Sequence, residues 1–489
     1  MIRLFLLLSF VLLFGIDVWS QTITYSTKQK ITSKTARFSI IGKNNDGIVL
    51  RRYGKTTNIL DIFDDNLSYK YSVPINPRRQ NAFTKGILLN QFGATTLFLA
   101  PEKDFMILYA RVLKQKFEIA GSTEIPLDTV FDGKDNTIQN YRYVLSKDRS
   151  KILLYCPVYK GNEAIYIQMK VYTRDLLLLQ KKRINIKEDI RSETLSFHPV
   201  IKNNGEAVLY IINSTKADKT AFAINDIHQH HLTYNGYIYK KLKFQTTAFG
   251  NVSFKYDEEN KRVCMAGLVS DGNKKSKRSS TGYFINFINA DSSKIEVQEI
   301  KKYRSAFMYE LTGKDSTKHN GQLSTFDLKK VVLRKDGGAI IILESYFTEN
   351  DQISFQSRNH PSFTNFRTYN VFYYNDVICY SFNPNGKEQW HSILRKKQIS
   401  ENDNGIYSSF GLLTEQDELN FLYLDEIFYS ANVNLYILDS DGKLRRKSLF
   451  NQGDENIMAI PRLAKQISKD VILIPSLRKN MLSMVKIEL

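Results

Sequence analysis

Eight times along the chain a short turn, most often built from Asp, Asn, Gly or Lys, runs straight into an apolar segment of strand length. The units read Asn45-Asp46-Gly47 into IVLRRY, Phe92-Gly93 into ATTLFLA, Lys147-Asp148-Arg149 into SKILLYCPVY and Asn203-Asn204-Gly205 into EAVLYII. They continue with Glu258-Glu259-Asn260 into KRVCMAGLV, Lys335-Asp336-Gly337 into GAIIILESY, Gln416-Asp417 into ELNFLYL and Ser468-Lys469-Asp470 into VILIPSL. From turn to turn the steps are roughly 45 to 60 residues, with two near 80, which is the spacing of propeller blades. Length alone would suggest about three domains of roughly 150 residues. The repeat overrides that prior and predicts an all-β fold, a single β-propeller over residues 21–489 with about seven or eight four-stranded blades.

The apolar segments run continuously, as in residues 152–155, 340–343 and 471–474, where a half-buried strand would alternate. A strand covered on both faces reads this way, and a strand inside a blade lies between two neighbouring blades. Mixed hairpins follow, and two are near twins: VICYSFNPNGKEQWHSIL and NLYILDSDGKLRRKSLF, each turning on a Gly-Lys pair. Glycine there supplies the positive φ of a tight hairpin turn. No long stretch has the 3.6-residue periodicity of an amphipathic helix, so low helix content is expected. The last unit, 461–489, holds only about three strands, whereas Thr22-Ile23-Thr24-Tyr25-Ser26 alternates as an edge strand does. The N-terminal strand is therefore expected to complete the C-terminal blade and close the ring.

Residues 1–20 read as a signal peptide: Arg3, an apolar stretch from Leu4 to Ile16, and Val18-Trp19-Ser20 before the cut. No later segment reaches the roughly 18 apolar residues of a membrane helix. The expected location is the periplasm, cell surface or exterior. Lysine and arginine number 69 against 50 acids, a formal charge of +19. The excess lies in small groups near turns, such as Lys181-Lys182-Arg183 and Arg395-Lys396-Lys397, which read as solvated loops or as a surface for an anionic partner such as a polysaccharide or membrane. An exported chain with no recognition motif gives no reason to expect nucleic acid. Cys156, Cys264 and Cys379 cannot form a disulfide framework and read as buried thiols.

Two insertions stand out, near 301–321 and 345–370. The second, SYFTENDQISFQSRNHPSFTNFRTYN, sets Tyr346, Phe347, Phe355, Phe363, Phe366 and Tyr369 among amides and hydroxyls, a composition suited to a sugar or protein contact. Among possible metal ligands, His228 and His230 share one face of an extended strand while His231 points away, so the segment reads either as two imidazole ligands or as an exposed polar loop. Asp439-Ser440-Asp441-Gly442 opens like a calcium loop, but Lys443 and Phe450 occupy ligand positions, so a hairpin turn is the better reading; Asp61, Asp64 and Asp65 are read the same way. No hydrolase or phosphate-loop signature is present, and no cofactor is expected.

Residues 373–413, YYNDVICYSFNPNGKEQWHSILRKKQISENDNGIYSSFGLL, resemble a recurrent segment of uncharacterised secreted β-propeller-like proteins of Gram-negative bacteria. The matching positions are Gly386, Lys387, Trp390, Lys397, Gln398, Asp403, Gly405, Tyr407, Ser408 and Ser409. The resemblance implies an exported bacterial propeller and carries no activity with it. The expectation for function is thus a non-enzymatic propeller that binds a protein or glycan. The alternative is a carbohydrate-active or other hydrolytic enzyme with its site at the channel mouth.

Overall fold

A computed structural model describes residues 22–488 except 33–35, 120–123, 132–136, 140, 162, 187–194, 217–220, 271–278, 314–322, 358–359 and 416. The leader reading lies outside these residues. The protein is all-β, built from antiparallel sheets that are mostly four strands wide in sequence order. In the 37–74 sheet the strands are Arg37–Asn44, Gly47–Tyr53, Asn58–Phe63 and Tyr69–Pro74; in the 83–131 sheet they are Phe83–Leu89, Ala94–Glu102, Phe105–Leu113 and Ile125–Phe131. The 137–185, 326–401 and 411–451 sheets repeat the plan, and the 196–302 region forms one 8-stranded sheet. There the long strand Ala221–Thr233 pairs with Gly236–Leu242 along its second half and with Thr246–Asp257 along its first, which joins two four-strand sets.

Every turn-plus-strand unit legible in the sequence supplies the second strand of its set. The continuous apolar runs have a direct cause. Successive side chains of a strand point to opposite faces, and both faces are packed. Leu154 joins a core with Leu97 and Leu108, while Leu153 joins another with Leu209 and Ile211. Likewise Ile341 packs with Cys264 and Ile285, and Ile342 with Phe421 and Tyr423. Each sheet thereby shares one apolar core with the set before it and another with the set after it.

The terminal sheet contains Lys465–Gln466, Val471–Arg478 and Met481–Glu488, and its fourth strand is Thr22–Tyr25, paired antiparallel to the last strand. Gln29–Lys30 pairs farther along the same strand. Leu473 and Met484 of this sheet share a core with Ile40 and Leu50 of the 37–74 sheet.

Two departures mark the insertions. The insertion at 345–370 is a two-stranded arm: Ala339–Ser357 and His360–Phe382 stay paired well past the sheet, to Ser357 opposite His360. Gln398–Glu401 adds a third strand at the arm's base. Its Tyr, Phe and Thr residues suit a pleated ladder, so the segment continues its blade strands. The other insertion contains the helix Ser305–Thr312, which buries Phe307 and Met308 and stops at Gly313 in the left-handed conformation. No helix among the described residues is long and apolar enough to cross a membrane.

Candidate functional site

The arm separates its aromatics. Tyr346 faces Tyr374 at 4.6 Å between centroids, and the next pair, Phe347 and Tyr373, stacks at 4.4 Å on the opposite face. Tyr369 stands opposite Asp351 in the ladder. The side chains of Phe355, Phe363 and Phe366 lie outside those described. Tyr346 also packs under Lys329, whose ammonium is 5.3 Å from its ring centroid, so this residue belongs to the blade base.

The histidine segment is a buried strand, which corrects the polar-loop reading. His228 and His230 are 4 % and 6 % exposed and do share a face. Each Nδ1 meets a tyrosine hydroxyl of the adjacent strand, His228 with Tyr239 at 2.8 Å and His230 with Tyr237 at 2.6 Å. The Lys182 ammonium lies 4.1 Å from the Tyr237 ring centroid, a position that opposes a bound cation. Among the described residues, no group of three or more His, Cys, Asp or Glu is placed to hold a metal. Burial, with His228 second, pushes the His230 imidazole down to about 4, so it stays neutral at neutral pH. His231 turns to the other face, 3.5 Å from Glu206.

Other turn readings divide. Asp439 accepts the amides of Asp441 and Lys443, as a hairpin turn requires. Asp64 does the same for Asn66 and Ser68, but Asp61 is a fully buried strand residue held by Arg52. The three cysteines are buried and form no disulfide, and burial pushes the Cys264 thiol up to about 12. The segment carrying the family resemblance wires neighbouring sheets together. Trp390 donates from Nε1 to Ser440 O at 2.8 Å, Tyr407 donates to Leu477 O at 2.8 Å, and Asp403 accepts Gly405 N at 2.7 Å.

A feature missed in the sequence lies on the first strand of most sets. Apart from 246–257, which is paired on both sides, these strands are sheet edges, and several touch the first strands of neighbouring sets: 196–201 meets 246–257, 246–257 meets 326–333, and 37–44 meets both 83–89 and 465–466. They carry Arg37, Lys43, Lys85, Arg142, Lys255, Lys329, Lys330 and Lys465, whereas their carboxylates are Asp257, Asp327 and Glu415. Asp257 is engaged by its own turn, accepting the Glu259 and Asn260 amides. Strands 246–257 and 326–333 pack together, which sets Lys255 and Lys330 on adjoining strands. Desolvation, then Lys255, lowers the Lys330 ammonium although the side chain keeps solvent contact. Burial lowers Lys85, with Arg142 adding to it, and burial followed by Arg149 lowers Lys465. Among the described residues, none of Lys85, Arg142, Lys255 and Lys330 forms an ion pair with a carboxylate, and Lys255 and Lys330 are both solvent-exposed. The sequence did contain the signal, a basic residue in most of the short strands before the apolar runs, as in FTKGILL and FDLKKVVL. It stayed hidden because those lysines are far apart in the chain.

No protein family model matches the chain, and no curated protein matches it. Among solved structures it is similar to prolyl endopeptidases at 10% identity, covering 94% of this chain and 55% of theirs, with a TM-score of 0.37. It therefore spans little more than half the length of those enzymes. It is also similar to the β-propeller domain of the Trilobed protease from Pyrococcus furiosus, at 10% identity, 88% and 97% coverage and a TM-score of 0.36. A polysaccharide lyase, an ulvan lyase, is similar at 9% identity, 82% and 90% coverage and a TM-score of 0.37. Likenesses this slight say nothing about activity.

Proposed function

We propose that the protein is an exported, non-enzymatic binding propeller in which eight four-strand sets close into a single domain around a central passage that receives an anionic polymer, an acidic polysaccharide above all. The packing of the 246–257 strand, which carries Lys255, against the 326–333 strand, which carries Lys330, and of Gly86 beside Lys85 against Tyr143 beside Arg142 carries this reading. Like charges on adjoining strands repel one another, and an anion relieves that repulsion. Closure is supported by the Thr22–Glu488 pairing and by the core shared between the 37–74 and terminal sheets. Export rests on the leader-like residues 1–20 and on the resemblance of 373–413 to secreted bacterial propellers.

The test is retention on immobilised alginate or dextran sulfate against neutral dextran across a salt gradient. The parent protein is expected to bind the anionic matrices and to elute with rising salt. Lys255→Gln/Lys330→Gln should weaken binding about tenfold, roughly 1.4 kcal/mol, while Lys335→Gln on an exposed turn changes it little. Equal retention on neutral and anionic matrices would remove the proposal.

A further inference from the structure

The helix Ser305–Thr312 lies where the 196–302 and 326–401 sheets meet, and beside it is a cavity of about 330 Å³. That volume is at the small end for ligand sites. The aromatic side chains lining it are Tyr283, Tyr303, Phe307 and Tyr380, with centroids 4.9 Å apart for Tyr283 and Tyr380 and 5.2 Å for Phe307 and Tyr380. Its principal carboxylate is already engaged: Glu388 accepts the Tyr283 hydroxyl at 2.7 Å, is paired with Arg304, and meets His391 Nδ1 at 3.1 Å. Glu299 is likewise held by Lys301 at 2.9 Å.

Three groups are left over. The Tyr380 side chain is 2 % exposed and its buried hydroxyl has no hydrogen-bond partner. Such a group costs free energy until something bonds to it. Lys302 and Lys387 line the cavity as exposed ammonium groups and, among the described residues, pair with no carboxylate. Aromatic faces stack on the C–H faces of a sugar ring, a lone hydroxyl matches a ring hydroxyl, and two ammonium groups at the rim match one anionic substituent.

We propose that this cavity binds a single acidic sugar ring, its carboxylate or sulfate held by Lys302 and Lys387 and one ring hydroxyl bonded to Tyr380. The site is separate from the first-strand cations and stands or falls without them.

Glucuronate and glucose, titrated into the full chain by ligand-observed NMR, provide the test. Glucuronate should saturate at millimolar concentration and bind about tenfold more tightly than glucose. Lys302→Gln/Lys387→Gln should remove that preference. Tyr380→Phe should weaken glucuronate about threefold or more while its melting temperature stays level or rises, because no protein hydrogen bond is lost. Lys255→Gln/Lys330→Gln should leave glucuronate binding unchanged, which separates this site from the passage. Equal binding of glucose and glucuronate, or parent-like glucuronate binding in the Lys302/Lys387 variant or in Tyr380→Phe, overturns the assignment.

Discussion

Ile23 stands opposite Ile487 in the antiparallel ladder that joins the first described strand to the last. Ile487 is fully buried and shares a core with Leu422 and Ile472, while Ile23 packs against its margin. The first and last described strands are thus held in one sheet by backbone hydrogen bonds and by apolar packing.

Removal of residues 22–31 would strip that ladder and uncover Val485 and Ile487. The melting temperature is expected to fall by at least about 5 °C, measured by circular dichroism. An unchanged melting curve would show that the N-terminal strand does not hold the terminal sheet.

Glu344 and Lys396 form a buried pair, 2.8 Å between Oε1 and Nζ. Burial pushes the lysine down, and Glu344 offsets that shift. The ammonium also donates to Tyr374 O and Gln398 Oε1, each at 3.1 Å, and the other carboxylate oxygen accepts from Ser409 Oγ at 2.7 Å. Glu344→Gln strands a buried cation and should cost about 3 kcal/mol in urea unfolding. Glu344→Leu/Lys396→Met should cost less than the two single changes together. Full additivity would mean the two charges do not interact.

Two histidines set a response to acid. Burial pushes His198 and His230 down to about 4, against an ordinary value of about 6.5 in the unfolded chain. The unfolded state takes up protons first, so stability is lost as pH falls from 6.5 towards 4, by up to about 3 kcal/mol for each residue. His391 has the opposite sign: its bond to Glu388 raises it, so its contribution is present below 6.5 and lost as pH rises through the folded value. Melting temperatures measured from pH 7.5 to 4.5 should therefore decline below 6.5, and His198→Gln/His230→Asn should flatten the decline. A slope identical to the parent's would discard this account.

Gly442 has a φ of +83°, and a Cβ placed there would lie 2.7 Å from the Trp390 ring. Gly442→Ala should destabilise by about 1 to 3 kcal/mol and shift the emission of Trp390, since the only other tryptophan is Trp19 in the leader-like segment. Parent-like stability and emission together would show that the turn and ring are not in contact.

Local chemistry made the sheets legible. A turn such as Lys335-Asp336-Gly337 and the apolar run after it act over a few residues, and successive side chains in a run such as Ile341 and Ile342 must point to opposite faces, so the sequence by itself determined the strands, their order and their two-sided burial. What only the tertiary structure decided are relations between distant residues: that Thr22 ladders to Glu488, that 345–370 is an arm, that His228 and His230 lie under tyrosines, and that the strands carrying Lys255 and Lys330 pack together. Proximity across sheets depends on how edge strands gather and pack, and no local pattern of side chains encodes which neighbour will stand opposite.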